Sequence, residues 1–291
     1  MAISTDKNKF SQQNMRGKVL VVAGTVDGRT AVNKLRRAGI PIVVSVATEW
    51  AKSLLNLDDA DVTVHVGRLD AIGFQTFMTS HNVSVVLDCT HPYAVIVSSI
   101  LRKVTQELGV QYLRYTRPDS LARTDLFKEV KAYFVSDSIE ACQIANQLLS
   151  NLPPNQTVFL TTGSKELPIY SSHIPTERLV ARVLPVISSL EQCSRSHIKP
   201  NRIVAMQGPF DENLNKALFQ QFNAGVIITK DGGSAGGFAE KIKAAADLDL
   251  PVIVIERPEE YATSDSRSDR QQDLSELVNQ IIKEFQNKPL I

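Results

Sequence analysis

Two glycine-rich stretches hold the residue types most capable of chemistry. AGTVDGR, Ala23–Arg29, follows the β-branched run VLVV at 19–22. TKDGGSAGGFAEKI, Thr229–Ile242, closes the run VIIT at 226–229. Each stretch leads from a strand through a glycine turn into a helix. Glycine lets the backbone approach an anion closely, and a helix N-terminus offers unpaired N–H groups and the positive end of a dipole. Two such turns near opposite ends of one chain suit an enzyme that holds a nucleotide and an anionic substrate.

The first turn fits a dinucleotide. It carries Gly24 and Gly28 but not the full GxGxxG pattern, with Ala23 where one glycine would stand. Thr25 and Asp27 share the turn, and Arg29 lies at the helix start, where a side chain can meet a phosphate. An acidic residue closing the second strand would hold an adenosine ribose diol. That strand here ends VVSVATEW, with Ser45 and Thr48 ahead of Glu49. Small hydroxyls together with Arg29 favour a 2′-phosphate and hence NADPH, while Glu49 leaves the diol open. The competing explanation is a tight structural turn.

DCTHPYA, Asp88–Ala94, falls at the carboxyl end of the fourth strand, the edge where open α/β sheets bind ligands. Thr90 is a possible helix cap, Pro92 suits a first helical turn, and His91 could donate to an anion. A lone histidine at a helix start is also often structural. In the second half, TTGSKE at 161–166, ARVLP at 181–185 and MQGPF at 206–210 each close a strand. They bring Lys165, Arg182, Gln207 and Gly208 to one sheet edge, and Lys230 completes a basic lining. Solvated loop charge explains any one of these residues, but less readily all of them together.

The elements that must position these residues alternate along the chain. Strands are expected at 18–23, 42–47, 62–66, 83–88 and 112–115, then at 131–134, 158–162, 179–184, 203–206, 226–229 and 252–255. Helices are expected at 27–38, 69–80, 92–108, 139–149, 187–194, 212–222 and 235–248. Val- and Ile-rich strands separated by helices make parallel sheets covered on both faces. The expected fold is α/β, with two doubly wound, Rossmann-like parallel-sheet domains facing a common cleft. Residues 17–120 form the dinucleotide-binding domain and 121–260 the substrate domain. A disordered arm precedes them at 1–16. A polar linker and an amphipathic helix follow at 261–291. Leu274, Leu277, Val278, Ile281, Ile282 and Phe285 share one face of that helix, with Asp273 as its N-cap. It is expected to pack on its own domain, with dimerisation as the alternative.

Composition narrows the function classes. A formal net charge of +1 gives no reason to expect bulk nucleic acid or an anionic membrane as partner. Cys89, Cys142 and Cys193 show neither zinc spacing nor a disulfide framework, so a cytoplasmic setting is expected. The five histidines show no ligand-pair spacing, and no metal site is expected. No apolar run reaches membrane-spanning length.

Taken in this order and spacing, AGTVDGR, VVSVATEW, DCTHPYA, LTTGSKEL, RVLP, MQGPF and TKDGGSAGGFAEKI resemble the precorrin-6A reductase family, from about Lys18 to Pro258. The sequence departs from the family pattern at Ala23 for glycine, Asp27 for glutamate, Cys89 for alanine and Tyr93 for phenylalanine. The resemblance implies NADPH-dependent reduction of one carbon–carbon double bond in a precorrin macrocycle, giving precorrin-6B on the way to cobalamin. The substrate it implies is a large, flat, apolar tetrapyrrole fringed by carboxylates, with or without cobalt. Lys165, Arg182, Gln207, Gly208, Gly232, Gly233 and Ser234 would hold that fringe. Lys230, His91 and Tyr93 are the candidates for acid or electrostatic partner. The protein would be a monomer or a weak homo-oligomer. The alternatives are another NAD(P)-dependent reductase and a non-catalytic nucleotide-binding regulator.

Overall fold

A computed structural model describes residues 17–57, 62–116, 124–233, 236–257 and 273–287. The expected arm at 1–16, the linker at 261–272 and Ser234 lie outside the described residues. The chain divides into two compact units. One comprises Met1–Arg117 with Thr263–Ile291, and the other Pro118–Ala262. Both are α/β units built on a parallel sheet.

The first unit contains β1 (Lys18–Val22), α1 (Val26–Arg37), β2 (Ile42–Val46), α2 (Glu49–Ser53), β3 (Thr63–Val66), α3 (Ala71–Ser80), β4 (Val83–Asp88), α4 (Val95–Leu108) and β5 (Gln111–Arg114). The strand order is β3-β2-β1-β4-β5, and every pairing is parallel. Strands β2 and β4 are buried along their whole length, as expected when helices cover both faces of a parallel sheet. From β1 the chain winds outward to β2 and β3, then crosses back to β4. The order therefore reverses between β1 and β4, and the carboxyl edge there is where such folds place a ligand.

The second unit contains β6 (Ala132–Val135), α5 (Ser138–Leu149), β7 (Thr157–Leu160), α6 (Leu167–His173), β8 (Leu179–Val183), α7 (Ile187–Arg195), β9 (Ile203–Ala205), α8 (Glu212–Gln221), β10 (Ala224–Lys230), α9 (Phe238–Ala246) and β11 (Val252–Ile255). Its six strands run β6-β11-β10-β7-β8-β9, again all parallel. Here the order reverses between β7 and β10. The helices of this unit bury Phe219, Phe238 and Ile242 against Phe159, Ile227 and Val254.

The final helix, α10 (Leu274–Gln286), joins the first unit rather than the one that precedes it in sequence. Leu274, Val278 and Ile281 enter the core formed by Ala31, Val32 and Leu35 of α1, and Leu277 is also buried. Lys34 donates to Ser275 Oγ at 2.6 Å across the α1–α10 contact. Asp273 caps the helix by accepting from Ser275 N. Among the described residues no helix is long and apolar enough to cross a membrane.

Helices α2 and α6 were not expected from the sequence, and the starts of α4 and α9 differ from expectation by three residues each. Helix α4 begins at Val95, not Pro92, and its N-cap, Ala94, makes no side-chain cap bond. Thr90 therefore does not cap it. Helix α9 begins at Phe238 because Gly237 takes a left-handed conformation, φ 61°, in front of it.

Candidate functional site

In the first unit the sequence-derived residues gather where the strand order reverses. Thr25 is the N-cap of α1, and its Oγ1 accepts from Gly28 N at 3.2 Å. The same hydroxyl donates to Cys89 O at 3.0 Å, tying the β1–α1 turn to the end of β4. Gly28 is buried. A Cβ there would stand 2.8 Å from Ala23 Cβ and 2.9 Å from Ala23 Cα, so glycine is what lets α1 start against the end of β1. Nothing lies within 4 Å of a Cβ built on Gly24, and the turn is open on that side. Asp27 and Arg29 lie half-buried in the first turn of α1. A close helix start, a capping threonine and an open glycine together fit a bound pyrophosphate.

The adenosine-side residues are less uniform. Ser45 is 4% exposed within β2, paired with Val22, so it is a strand residue more than a surface hydroxyl. Thr48 is exposed but accepts from Ala51 N at 3.1 Å as the cap of α2. On the other side of the crevice, Thr90 contacts Ser98 Oγ at 3.4 Å. Exposed His91 and half-buried Tyr93 stand with ring centroids 5.5 Å apart.

Sequence reasoning missed what holds this second loop. Asp88, fully buried, accepts from Thr90 N at 2.9 Å through Oδ1. Its Oδ2 accepts from Ser98 Oγ at 2.7 Å, Tyr112 OH at 2.7 Å and Arg114 Nη1 at 2.8 Å. Arg114 Nη1 also donates to Ser98 Oγ. Burial, and then the Asp88 carboxylate, push the Tyr112 phenol well above its ordinary value, so it stays a donor. The signal in the sequence is a charged residue of opposite sign closing each of two adjacent strands. The parallel register pairs Asp88 with Arg114.

In the second unit, Lys230 is the last residue of β10. It donates to Glu166 Oε1 at 2.5 Å, and Ser138 Oγ donates to Glu166 Oε2 at 2.7 Å. The expected basic lining thus contains a carboxylate that orients the lysine. Lys230 belongs to this unit, whereas His91 and Tyr93 belong to the first. Gly232 N donates to Lys230 O at 2.8 Å and Gly233 N to Asp231 Oδ1 at 3.0 Å. Both glycines are buried, and these two bonds lie within the loop. Lys165 and Gln207 are exposed, and Gly208 is half-buried.

Arg182 lies inside the edge rather than on it. It is 7% exposed, donates to Asn215 Oδ1 at 2.7 Å, and packs its guanidinium over the Phe210 ring at 4.3 Å. Burial draws it down to about 10. Beside it is a residue the sequence reading passed over. Lys241 of α9 is 7% exposed. Burial, then the neighbouring Arg182 charge, pull its ammonium down to about 7, against the opposing pull of Asp231 and Glu240. Its signal was legible: Phe238, Lys241, Ile242 and Ala245 follow the helical i, i+3, i+4, i+7 spacing of a buried face. Because the folded value is depressed, the unfolded chain binds the extra proton between pH 7 and the ordinary lysine range, so stability rises with pH there. Lys241→Met is expected to melt higher than the parent at pH 6, with the gap closing as pH rises toward 10. Thermal unfolding across that range checks it, and a gap that widens with pH would contradict the assignment.

Apolar side chains also lie at this edge. Leu184 and Met206, just past the ends of β8 and β9, are 45% and 37% exposed, and Ile187 at the start of α7 is 77% exposed. In the first unit, Val26 and Ile96 open α1 and α4 with 43% and 72% exposure. Apolar residues beside buried cations suit a ligand with a flat apolar body and an anionic fringe.

Comparison with known proteins agrees with this chemistry. Residues 18–281 match the family model described as precorrin-6x reductase CbiJ/CobK. The cobalt-precorrin-6A reductase of Salmonella typhimurium is 35% identical over 249 residues, covering 86% of this chain and 90% of that protein. The protein of that name from Methanothermobacter thermautotrophicus is 31% identical over 281 residues, covering 94% and 87%. Among solved structures, one described as CobK precorrin-6A reductase superposes with a TM-score of 0.70 at 23% identity, covering 92% of this chain and 97% of that one. At that identity the likeness bears on the fold.

Proposed function

The chain belongs to the precorrin-6x reductase CbiJ/CobK family, and from that premise we propose that it reduces one carbon–carbon double bond of a precorrin-6A macrocycle with NADPH. The two relatives are named for the cobalt form, and we take that form as its substrate. The observation that carries the cofactor assignment is the turn around Gly28, where α1 starts against β1 behind the open Gly24. Amides at the start of α1 would receive the pyrophosphate, and Arg29 with Thr48 the 2′-phosphate. Ser45, being buried, would act through the shape of the β2 end. When bound, the reduced nicotinamide supplies the hydride.

The remaining work falls to the chain's own residues, and it is mostly positioning. Arg182, Lys165 and Gln207 would hold carboxylates of the fringe, while Leu184, Ile187 and Met206 would lie against the ring. Lys230, fixed by Glu166, would be the electrostatic partner for charge that develops as hydride arrives. His91 and Tyr93 are the proton donors proposed on the cofactor side. The few, well-separated cysteines support a cytoplasmic setting.

Mixing the protein with NADPH and cobalt-precorrin-6A is expected to consume the reduced-nicotinamide absorbance. NADPH is expected to bind about tenfold more tightly than NADH, with Arg29→Ala narrowing the gap. Equal affinities in titration calorimetry would remove the 2′-phosphate assignment. A protein that binds the dinucleotide yet consumes none with any tetrapyrrole would be a regulator, not a reductase.

A further inference from the structure

We propose that the carboxyl edge of β3, through Arg68 and His65, reads the 2′-phosphate of the dinucleotide and so sets a preference for NADPH over NADH. The assignment rests on the NADPH reading for the identity of the ligand, while its placement comes from the sheet register of the first unit. Val22 pairs with Ser45 and Ser45 with His65, so the three lie in one row across β1, β2 and β3. Paired residues of a parallel sheet present their side chains to the same face. That face is the one α3 covers. Val22 joins the core around Phe74 and Met78, and the His65 ring lies 5.6 Å from the Phe77 ring. The ladder runs one residue past β3, where Gly67 N donates to Val46 O at 2.9 Å. Gly67 then turns the chain at φ 127°, and exposed Arg68 follows. From Ala23, where the glycine turn leaves β1, to Gly67 is two strand spacings, roughly 10 Å. An adenosine ribose whose pyrophosphate lies at the β1–α1 turn falls over the end of β2, the strand between them. Its 2′ position is then within reach of what the end of β3 presents.

Two features distinguish this edge from ordinary surface. The first is His65 Nε2, which is buried without a hydrogen-bond partner, 3.6 Å from where a Cβ on Gly67 would stand. A buried ring nitrogen left unpaired is uncommon in a native fold, and a ligand oxygen at the Gly67 turn would accept from its N–H. The second is the guanidinium of Arg68, which makes no hydrogen bond or ion pair among the described residues. Asp70, two residues on, is committed as the cap of α3, where its Oδ1 accepts from Gly73 N at 2.8 Å. Nor does β2 end in the carboxylate that a ribose diol calls for, since Glu49 opens α2 behind the Thr48 cap. An exposed arginine is ordinarily solvated charge. Next to an unpaired imidazole, at the ribose end of a nucleotide turn, its planar fork of N–H donors suits a phosphate.

Titration calorimetry with NADPH, NADH, 2′,5′-ADP and 5′-AMP tests the assignment. The parent is compared with Arg68→Ala, Arg68→Lys, His65→Phe and the control Arg37→Ala, which removes an exposed arginine from the last turn of α1. Arg68→Ala is expected to bind NADPH and 2′,5′-ADP about tenfold more weakly, the worth of one charge-assisted contact. It should bind NADH and 5′-AMP as the parent does, which removes the preference and shows that the variant is folded. Arg68→Lys should recover part of the loss. His65→Phe keeps a ring beside Phe77 but deletes Nε2, and should weaken the two 2′-phosphorylated ligands about two- to fivefold. Arg37→Ala should match the parent.

Parent-like NADPH affinity in Arg68→Ala, or equal weakening of NADPH and NADH, would overturn the proposal. A loss in Arg68→Ala beside parent-like binding in His65→Phe would overturn the part given to His65. If Arg29→Ala narrows the preference while both β3 variants leave it intact, the 2′-phosphate is read from α1 and the edge of β3 is solvated surface. A parent with no preference between the two dinucleotides removes the 2′-phosphate reading itself, and the β3 assignment falls with it.

Discussion

Replacing Asp88 with alanine is expected to destabilise the first unit by about 3–5 kcal/mol, the range seen when one partner of a buried ion pair is removed. The carboxylate is fully buried and its Arg114 partner nearly so, with side-chain exposures of 0% and 2%. Alanine would remove the charge that neutralises the guanidinium. It would also strip an acceptor from Ser98 Oγ, Tyr112 OH and Thr90 N. The effect should reach the proposed site because Thr90 leads into His91 and Tyr93. Affinity for NADPH should fall along with stability, since the Cys89 carbonyl that fixes Thr25 lies on the same loop. Chemical denaturation of Asp88→Ala, Arg114→Met and the double variant Asp88→Leu/Arg114→Met checks this. The double variant should be more stable than Asp88→Ala, because it leaves no uncompensated charge. A loss under about 1 kcal/mol in Asp88→Ala would show that the network is not neutralising a buried charge.

Lys230→Ala is expected to lower turnover about ten- to a hundredfold, the worth of one charge-assisted contact made as charge develops. The lysine ends β10 at the reversal of strand order and is held by Glu166, itself bonded by Ser138. The ion pair is largely covered, with side-chain exposures of 16% and 24%, so removing the lysine also disturbs Glu166. Glu166→Gln separates the two effects, since it frees the lysine without deleting it. Turnover near normal in Glu166→Gln and low in Lys230→Ala would assign the effect to the ammonium. Equal losses in both, accompanied by equal drops in melting temperature, would make the pair structural. If Lys230→Ala turns over like the exposed control Lys243→Ala, Lys230 has no part in the reaction, and His91 and Tyr93 become the residues to test.

The eleven strands among the described residues were legible because runs such as VLVV and VIVI admit little else, and glycine or proline marks many of their ends. Helix α2, five residues, and helix α6, seven, were not, since so short a segment shows no period. The glycine turn at Gly28 was legible as a motif, but the near-contact with Ala23 that requires the glycine was not. Charge pairs posed the greater difficulty. Asp88 and Arg114 are 26 residues apart and meet only through the register of β4 and β5. Lys230 was recognised as a site candidate, yet Glu166, 64 residues earlier, was invisible as its partner. Lys241 was overlooked for a different reason. A lysine between Glu240 and Ile242 in a short helix is ordinarily surface charge, and only its place on the Phe238–Ile242–Ala245 face indicates burial.

The route of the chain has a consequence for how the molecule is made. Because α10 completes the core that β1 and α1 begin, the first unit contains both ends of the described chain, and the second is threaded into it as an insertion. A ribosome delivers the first unit's sheet early and α10 only after the second unit. The uninterrupted second unit can therefore close while the one synthesised first still shows the apolar surface of Ala31, Val32 and Leu35 that Leu274, Val278 and Ile281 will cover. The order of synthesis and the order of completion are thereby reversed. A released chain truncated before residue 274 should carry a finished second unit and a first unit that is still open to chaperones and proteases.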